Sequence, residues 1–290
     1  MIAAACRPPA ATVTEAPPPA ATSEVVFADD FSGAALDRTR WTVRVTGPDN
    51  GTVNDEQQAY VDDEASADAT LHIVHGTDAG GAPDGALRIT PRARPGFVTA
   101  DGHHFDFVSG RLDTRGKFEF TYGTAAARMK LPAGAGLWPA FWALGTGPWP
   151  ATGEIDIMEN VGDPTWTSAA LHGPGYSGNT PLVQRAVFPT GQDVTGWHVY
   201  AVDWAPDTLT FRVDDRVVYQ VPRAAVERYG RWAFDNPKFL ILNFALGGGY
   251  PRAVNGVGGA HPGLPDSTAG QIRAGAAAVL VDWVRVTRRR

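Results

Sequence analysis

Cysteine is nearly absent from this chain. Cys6 is the only one in 290 residues, which excludes an intrachain disulfide framework and any paired-cysteine metal or redox motif. No apolar run approaches the ~18 residues of a membrane-spanning helix. Basic clusters are missing apart from Arg288-Arg289-Arg290, and the net charge is −6. A nucleic-acid partner therefore lacks its electrostatic footprint, and the overall charge weighs against a strongly anionic substrate. There is no Gly-x-Ser-x-Gly elbow and no internal repeat. Gly247-Gly248-Gly249 is followed by neither Lys-Ser/Thr nor a recognisable helix start, so it does not read as a phosphate loop. His72, His75, His103 and His104 show no ligand spacing with cysteines or acids, which leaves them as surface histidines.

What the chain does have is glycine, proline and tryptophan, with 33, 23 and 9 residues. That much glycine and proline favours many turns and short strands over long helices. With 43% hydrophobic and 19% charged residues, most of the chain can fold around a core. The tryptophans suit an aromatic-rich core or an aromatic-lined sugar groove. Residues 1–23 carry Pro8-Pro9 and Pro17-Pro18-Pro19 among many Ala and Thr, without apolar periodicity. They read as a disordered linker, followed by one domain at 24–290. Ala3-Ala4-Ala5-Cys6 resembles the end of a bacterial lipoprotein signal, although Ala3 stands where leucine is usual. An extracellular or cell-surface location is expected, with Cys6 as the position of a lipid anchor.

The most informative stretch is Gly153-Glu154-Ile155-Asp156-Ile157-Met158-Glu159-Asn160. In an extended strand successive side chains alternate between faces. Glu154 and Asp156 then share one face, while Ile155 and Ile157 enter a core. Glu159 breaks the alternation and would be buried unpaired, at a high cost. One extra residue near Met158, a β-bulge, would return Glu159 to the acidic face. The backbone separation of Glu154 and Glu159 is then ~13 Å. Two inward-leaning glutamates can close that to the ~5–5.5 Å carboxyl spacing of a retaining glycosidase. A solvated acidic strand or a calcium site are the alternatives that the octapeptide by itself leaves open.

Further strands are expected at Glu24–Phe27, Arg40–Val45, Leu71–Val74, Ala86–Thr90, Phe107–Leu112, Ser168–His172, Trp197–Trp204, Lys238–Leu246 and Ala278–Val286. Hairpins are expected for Phe118–Tyr122 with Ala126–Leu131, and for Thr208–Tyr219 turning at Asp214-Asp215. A short helix fits Ala224–Trp232. This is the pattern of an all-β, two-sheet antiparallel sandwich or jelly roll. Several residues are candidates for substrate contact. Trp138 and Trp149 lie close to the acids in sequence, both before them, and offer flat faces for sugar stacking. His172 lies on the strand that follows them. Asn243 is an amide in an otherwise apolar strand and needs hydrogen-bond partners, in the groove or on backbone. Asn54, within Asn54-Asp55-Glu56-Gln57-Gln58-Ala59-Tyr60, belongs to a polar loop that either binds sugar or braces the structure.

Taken together these motifs resemble glycoside hydrolase family 16, and within it the bacterial laminarinase-like, endo-β-1,3-glucanase branch. The resemblance runs from about Phe27 to Val286. It is carried by Gly-Leu-Trp-Pro-Ala-Phe-Trp at 136–142, Gly-Glu-Ile-Asp-Ile-Met-Glu at 153–159 and the run at 54–60, with Trp-His-Val-Tyr at 197–200, Trp-Ala-Phe-Asp at 232–235, Ile-Leu-Asn at 241–243 and Val-Asp-Trp-Val-Arg-Val at 281–286. It implies a β-sandwich jelly roll of two antiparallel sheets with a concave substrate cleft. It also implies a nucleophile at Glu154, a general acid/base at Glu159 and a supporting acid at Asp156. Arg128 matches a family arginine and is carried over as a substrate-binding residue, whereas Ala126 replaces the usual glutamate two residues before it. Asp282 matches the position of a structural calcium ligand, and no other cofactor is implied. The expected activity is retaining hydrolysis of a neutral β-1,3-glucan by a monomer. Action on a β-galactan or agar-type chain, transglycosylation, and a non-catalytic glucan-binding lectin are the alternatives.

Overall fold

The computed structural model describes residues 23–289; residues 1–22, with Cys6 and the Pro/Ala-rich tract, and Arg290 lie outside the described residues. In chain order the strands are β1 (Ser23–Asp29), β2 (Thr42–Val43), β3 (Gln58–Tyr60), β4 (Leu71–Val74), β5 (Ala86–Ile89), β6 (Arg92–Val98), β7 (His104–Ser109), β8 (Arg111–Asp113), β9 (Gly123–Lys130), β10 (Leu137–Gly145), β11 (Glu154–Glu159), β12 (Trp166–His172), β13 (Val183–Val187), β14 (His198–Ala205), β15 (Thr208–Val213), β16 (Arg216–Pro222), β17 (Lys238–Leu246) and β18 (Val279–Arg289). Among the described residues, three short α-helices, α1 (Arg223–Val226), α2 (Gly249–Asn255) and α3 (Asp266–Arg273), and one 3-10 turn, Gly76–Ala79, join them.

Two large antiparallel sheets face each other. One runs β16-β15-β14-β9-β18-β5-β4, with β1 also paired to β18. The other runs β13-β12-β11-β10-β17-β8-β2. A small sheet, β3-β7-β6, contains a parallel pair, β3 with β7. The main core lies between the large sheets and follows from strand alternation. Ala125, Ala127 and Met129 of β9 and Val281, Val284 and Val286 of β18 meet Phe141 of β10, Ile155 and Ile157 of β11, and Leu240, Leu242 and Phe244 of β17. Strand β17 is buried along its whole length, because its outer side is covered as well. The fold is thus the two-sheet β-sandwich read from the strand pattern.

Local differences from the sequence reading have identifiable causes. Phe118–Tyr122 does not form a hairpin with β9. Tyr122 takes φ 63° and Gly123 φ 124°, which redirects the chain, and only Phe120 bridges, to Lys238. Phe118 and Phe120 instead stack 5.9 Å apart within the core. The helix expected over 224–232 is one turn, Arg223–Val226. The triple glycine does lead into a helix, α2, and a further helix, α3, stands where no element was expected. Ser23 already belongs to β1, one residue before the expected start of the domain.

Candidate active site

The acids stand on the outer face of the seven-stranded sheet. Strand β11 lies between β10 and β12, and its register fixes which residues are neighbours. Glu154 faces Leu144 and His172, Asp156 faces Trp142 and Ala170, and Glu159 faces Ala140 and Ser168. Both ladders shift between Asp156 and Glu159, where Ile157 and Met158 oppose a single residue of β12. This bulge buries Ile155, Ile157 and Met158 together and turns Glu159 onto the face of the other two acids.

Each acid has a dedicated neighbour. The indole Nε1 of Trp149 donates to Glu154 Oε2 at 2.8 Å. The indole Nε1 of Trp138 donates to Glu159 Oε1 at 2.9 Å. His172 Nε2 lies 3.3 Å from Asp156 Oδ2 and 4.0 Å from Glu154 Oε1. Among the described residues, Asp156 Oδ2 has no hydrogen-bond donor and His172 Nδ1 has no partner. The Glu154 side chain keeps 17% of its surface exposed, so a ligand can reach a carboxyl that is otherwise desolvated. Ligand-type atoms of Glu154, Asp156 and His172 gather within 4.8 Å, the one such group of three among the described residues.

Burial without cations governs the electrostatics. It pushes Glu154 up to about 8, helped by the nearby Asp156 charge, while His172 and the Trp149 hydrogen bond pull the other way. It pushes Glu159 up to about 7, opposed chiefly by the Trp138 hydrogen bond. Asp156 is raised well above the carboxylate range by burial and then by the Glu159 charge. Three carboxyls in this row cannot all ionise near neutral pH, so the site holds protons that exposed acids would have lost. The site can therefore present a charged carboxylate and a protonated carboxyl side by side.

The other residues singled out in the sequence fall into distinct places. Trp149 is 51% exposed and presents its ring to solvent beside Glu154, as a sugar platform requires. Trp138 is only 8% exposed and packs edge-on against Tyr250 of α2 at 5.6 Å. It orients Glu159 rather than offering a stacking face, because its neighbours cover the ring. Asn243 faces the site's side of β17, but both ends of its amide are engaged. Its Oδ1 accepts from Trp142 Nε1 at 2.8 Å and its Nδ2 donates to the Tyr60 hydroxyl at 3.0 Å. That hydroxyl donates in turn to Glu56 at 3.1 Å. The amide serves the protein and not a sugar, and the run at 54–60 acts as a brace. Asn54 occupies a left-handed turn, φ 57°, where its backbone carbonyl accepts from Gly249 N–H at 2.7 Å.

Arg128 is on the wrong sheet for substrate binding. It projects from β9 on the far side of the sandwich, pairs with Asp282 and lies 4.7 Å over the Trp197 ring. Alternation explains this: Ala127 and Met129 point into the core, so Arg128 points away from both the core and the acids. Asp282, the residue matched to a calcium ligand, is 4% exposed, and its carboxyl is engaged by the Arg128 guanidinium.

Three contributors escaped the sequence reading. Trp142 lies two and four residues from Ala140 and Trp138 on β10 and shares their face. Period-two counting would have found it. Arg185 of β13 stacks 4.1 Å over Trp166, beyond Ser168 and Glu159 in the ladder. Tyr250 lies 3.2 Å from Ser168 Oγ. The last two depend on β12–β13 pairing and on the placement of α2, for which the sequence carries no local signal.

Comparison with known proteins gives a consistent picture. The profile of the family described as Glycosyl hydrolases family 16 matches residues 52–255. A curated relative, the beta-glucanase of Rhodothermus marinus, is 34% identical over 279 residues, covering 91% of this chain and 85% of that protein. The glucan endo-1,3-beta-glucosidase A1 of Niallia circulans is 30% identical across 94% of this chain, and the chain spans 39% of that longer protein. Among solved structures, the endo-beta-1,3-glucanase of Pyrococcus furiosus superimposes with a TM-score of 0.77 at 32% identity, over 93% of this chain and 96% of that one.

Proposed function

The chain belongs to glycosyl hydrolase family 16, and from that premise we propose that it is a retaining endo-β-1,3-glucanase whose reaction is carried by Glu154, Asp156 and Glu159. The observation that carries the reading is the bulge at Ile157-Met158. It gathers three carboxyls on one open sheet face and gives each a different partner. In the first step a Glu154 oxygen attacks the anomeric carbon. The bond to the leaving glycosidic oxygen breaks, and Glu159 delivers its proton to that oxygen. In the second step Glu159 takes a proton from water, the water oxygen attacks the same carbon, and Glu154 departs as carboxylate. Two inversions leave the anomeric configuration retained.

The productive form carries its charge on Glu154 and a proton on Glu159. In the free site burial leaves Glu154 the harder of the two to ionise, about 8 against about 7, so this form is the one that substrate must select. Trp149 and His172 both favour the charge on Glu154, and Asp156, raised well above the carboxylate range by burial and then by Glu159, adds no second charge beside it. Trp149, half exposed beside Glu154, supplies a stacking surface for one glucose unit. The substrate is a polymer too large to cross a membrane. That supports work outside the cell, in line with the Ala-Cys tract that precedes the domain.

The test is hydrolysis of laminarin, mixed-linkage glucan, agarose and β-1,3-galactan, with products sized by chromatography and the first-formed anomer read by NMR. Oligosaccharides from laminarin with the β-configuration are expected. In Glu154→Gln turnover should fall by about four orders of magnitude or more while binding persists. An inverted first product, or an unimpaired Glu154→Gln, would sink the mechanism. Turnover of a galactan alone would move the substrate and leave the chemistry standing.

A further inference from the structure

Lys238 opens β17 with 0% exposure, and the reaction above makes no use of it. Its Nζ donates to the Thr152 carbonyl at 2.5 Å, the Ala233 carbonyl at 3.2 Å and Asn236 Oδ1 at 3.3 Å. All three acceptors are neutral. The Trp204 and Phe234 rings flank the amine at 5.6 and 5.5 Å. An ammonium buried without a carboxylate partner is costly, and burial draws this lysine down to about 7 against the charges of Asp235 and Glu154. A methionine or leucine would fill the space between two aromatic rings without that cost. The reason for a lysine must lie in what it holds.

It holds the peptide from which Glu154 projects. Gly153 takes φ 71°, and a Cβ there would meet the Ala233 carbonyl at 2.4 Å, so the two segments touch backbone to backbone at this point. The Thr152 and Ala233 carbonyls lie on the two sides of that contact, and one ammonium ties both. The same loop brings Trp149 to Glu154, and Arg231 fastens it a second time, through the Ala151 carbonyl at 2.8 Å. The ladder puts Lys238 opposite Gly145, next to the Leu144–Glu154 pair.

We propose that Lys238 is a positioning residue for the nucleophile: its Nζ, donating to both carbonyls, clamps the Thr152-Gly153 peptide against the 232–236 segment, and thereby fixes both the direction of Glu154 and the loop that carries Trp149. This rests on the reading of Glu154 as nucleophile. The clamp acts on attack at the anomeric carbon and not on protonation of the leaving oxygen. That distinction separates it from a lysine that merely fills the core.

The experiment measures kcat and KM for Lys238→Met and Asn236→Ala on laminarin oligosaccharides and on an aryl β-1,3-oligoglucoside with an activated leaving group. Wild type, Glu154→Gln and Glu159→Gln run in parallel. Lys238→Met should lose about 10–100-fold in kcat with KM nearly unchanged. The loss should persist in kcat/KM on the activated substrate, where Glu159→Gln recovers its kcat/KM because the first step no longer needs its proton. Asn236→Ala, which removes one acceptor of three, should show the same pattern at a few-fold. The proposal is overturned if folded Lys238→Met keeps wild-type kcat, if its loss lies in KM alone, or if the activated substrate restores it. Where Lys238→Met does not fold, a folded Asn236→Ala with unchanged kcat overturns it. Wild-type turnover and its loss in Glu154→Gln report on the parent reading independently of these ratios.

Discussion

Asp156 and Asp282 are each 4% exposed, and each projects from the outer side of a strand, one on either sheet. Their surroundings differ in one respect. Asp282 has the Arg128 guanidinium against it, itself lying on Trp197. Its sheet is balanced elsewhere too, with Arg212 on Asp203 and Thr124 donating to the same carboxylate. Asp156 has His172 at 3.3 Å and no arginine or lysine ion pair among the described residues. Glu154 and Glu159 beside it have indole N–H donors and, among the described residues, no ion pair to arginine or lysine. Both faces carry tryptophans and buried acids, so composition does not distinguish them. The uncompensated carboxyls do, because buried acids without cations keep protons that chemistry can move.

Removing the movable proton breaks the comparison at its strongest point. In Glu159→Gln, kcat/KM on laminarin should fall by about 10²–10⁴-fold. An aryl glycoside whose leaving group needs no proton should recover most of that kcat/KM, while kcat stays low because Glu159 is also the base for water. In the wild type, kcat/KM should be bell-shaped with its maximum between about 7 and about 8, the window in which the two glutamates share one proton. Equal losses on both substrates, or an alkaline limb that persists in the variant, would place the acid elsewhere.

The next largest effect is on stability. Glu154 has a folded-state pKa of about 8, above its ordinary 4.5. The folded state therefore holds the proton more tightly than the unfolded chain. This contribution is fully present below the unfolded value and is lost as pH rises through about 8. Glu154→Gln removes the charge that must be buried at high pH. Its Tm should match wild type near pH 4 and exceed it by about 5 °C or more at pH 9. A gap of opposite sign, or one independent of pH, would show the carboxyl to be solvated and the active face to be no different from the other.

How far the sequence carried depended on the range of the interaction. Period-two alternation over residues 153–160 was enough to assign the faces of β11, and the misplaced Glu159 was enough to locate the bulge. Trp149 and His172 were within reach because both lie close to the acids along the chain or on the adjoining strand. Arg128 and Asn243 were misjudged for the opposite reason. Asn243 spends its amide on Tyr60, 183 residues away, and Arg128 meets Asp282 across 154 residues. Only the pairing of β9 with β18, and the packing of the 54–60 loop on β17, settles those partners. The same holds for Phe118–Tyr122, whose strand-like alternation yields to the left-handed turn at Tyr122 and to aromatic packing.

The smallest effect tests the quiet face. Arg128→Met keeps the aliphatic stem over Trp197 and removes the cation from Asp282, which recreates there the condition of Asp156. Leaving a buried carboxylate without its donor costs about 1–3 kcal/mol. The lower part of that range applies because the Arg128 side chain is 29% exposed and solvent screens part of the pair. Tm should therefore drop by a few degrees. The kcat/KM on laminarin should stay within about twofold, because the whole sandwich separates Arg128 from the acids and the coupling between such distant sites is small. Chelation with EDTA should leave the wild-type Tm unchanged, since a guanidinium already satisfies Asp282. A fall in kcat/KM with stability intact would return Arg128 to the substrate. An EDTA-sensitive Tm would show that the carboxyl answers to a metal and not to the arginine, and the two faces would then differ in their cation and not in whether they have one.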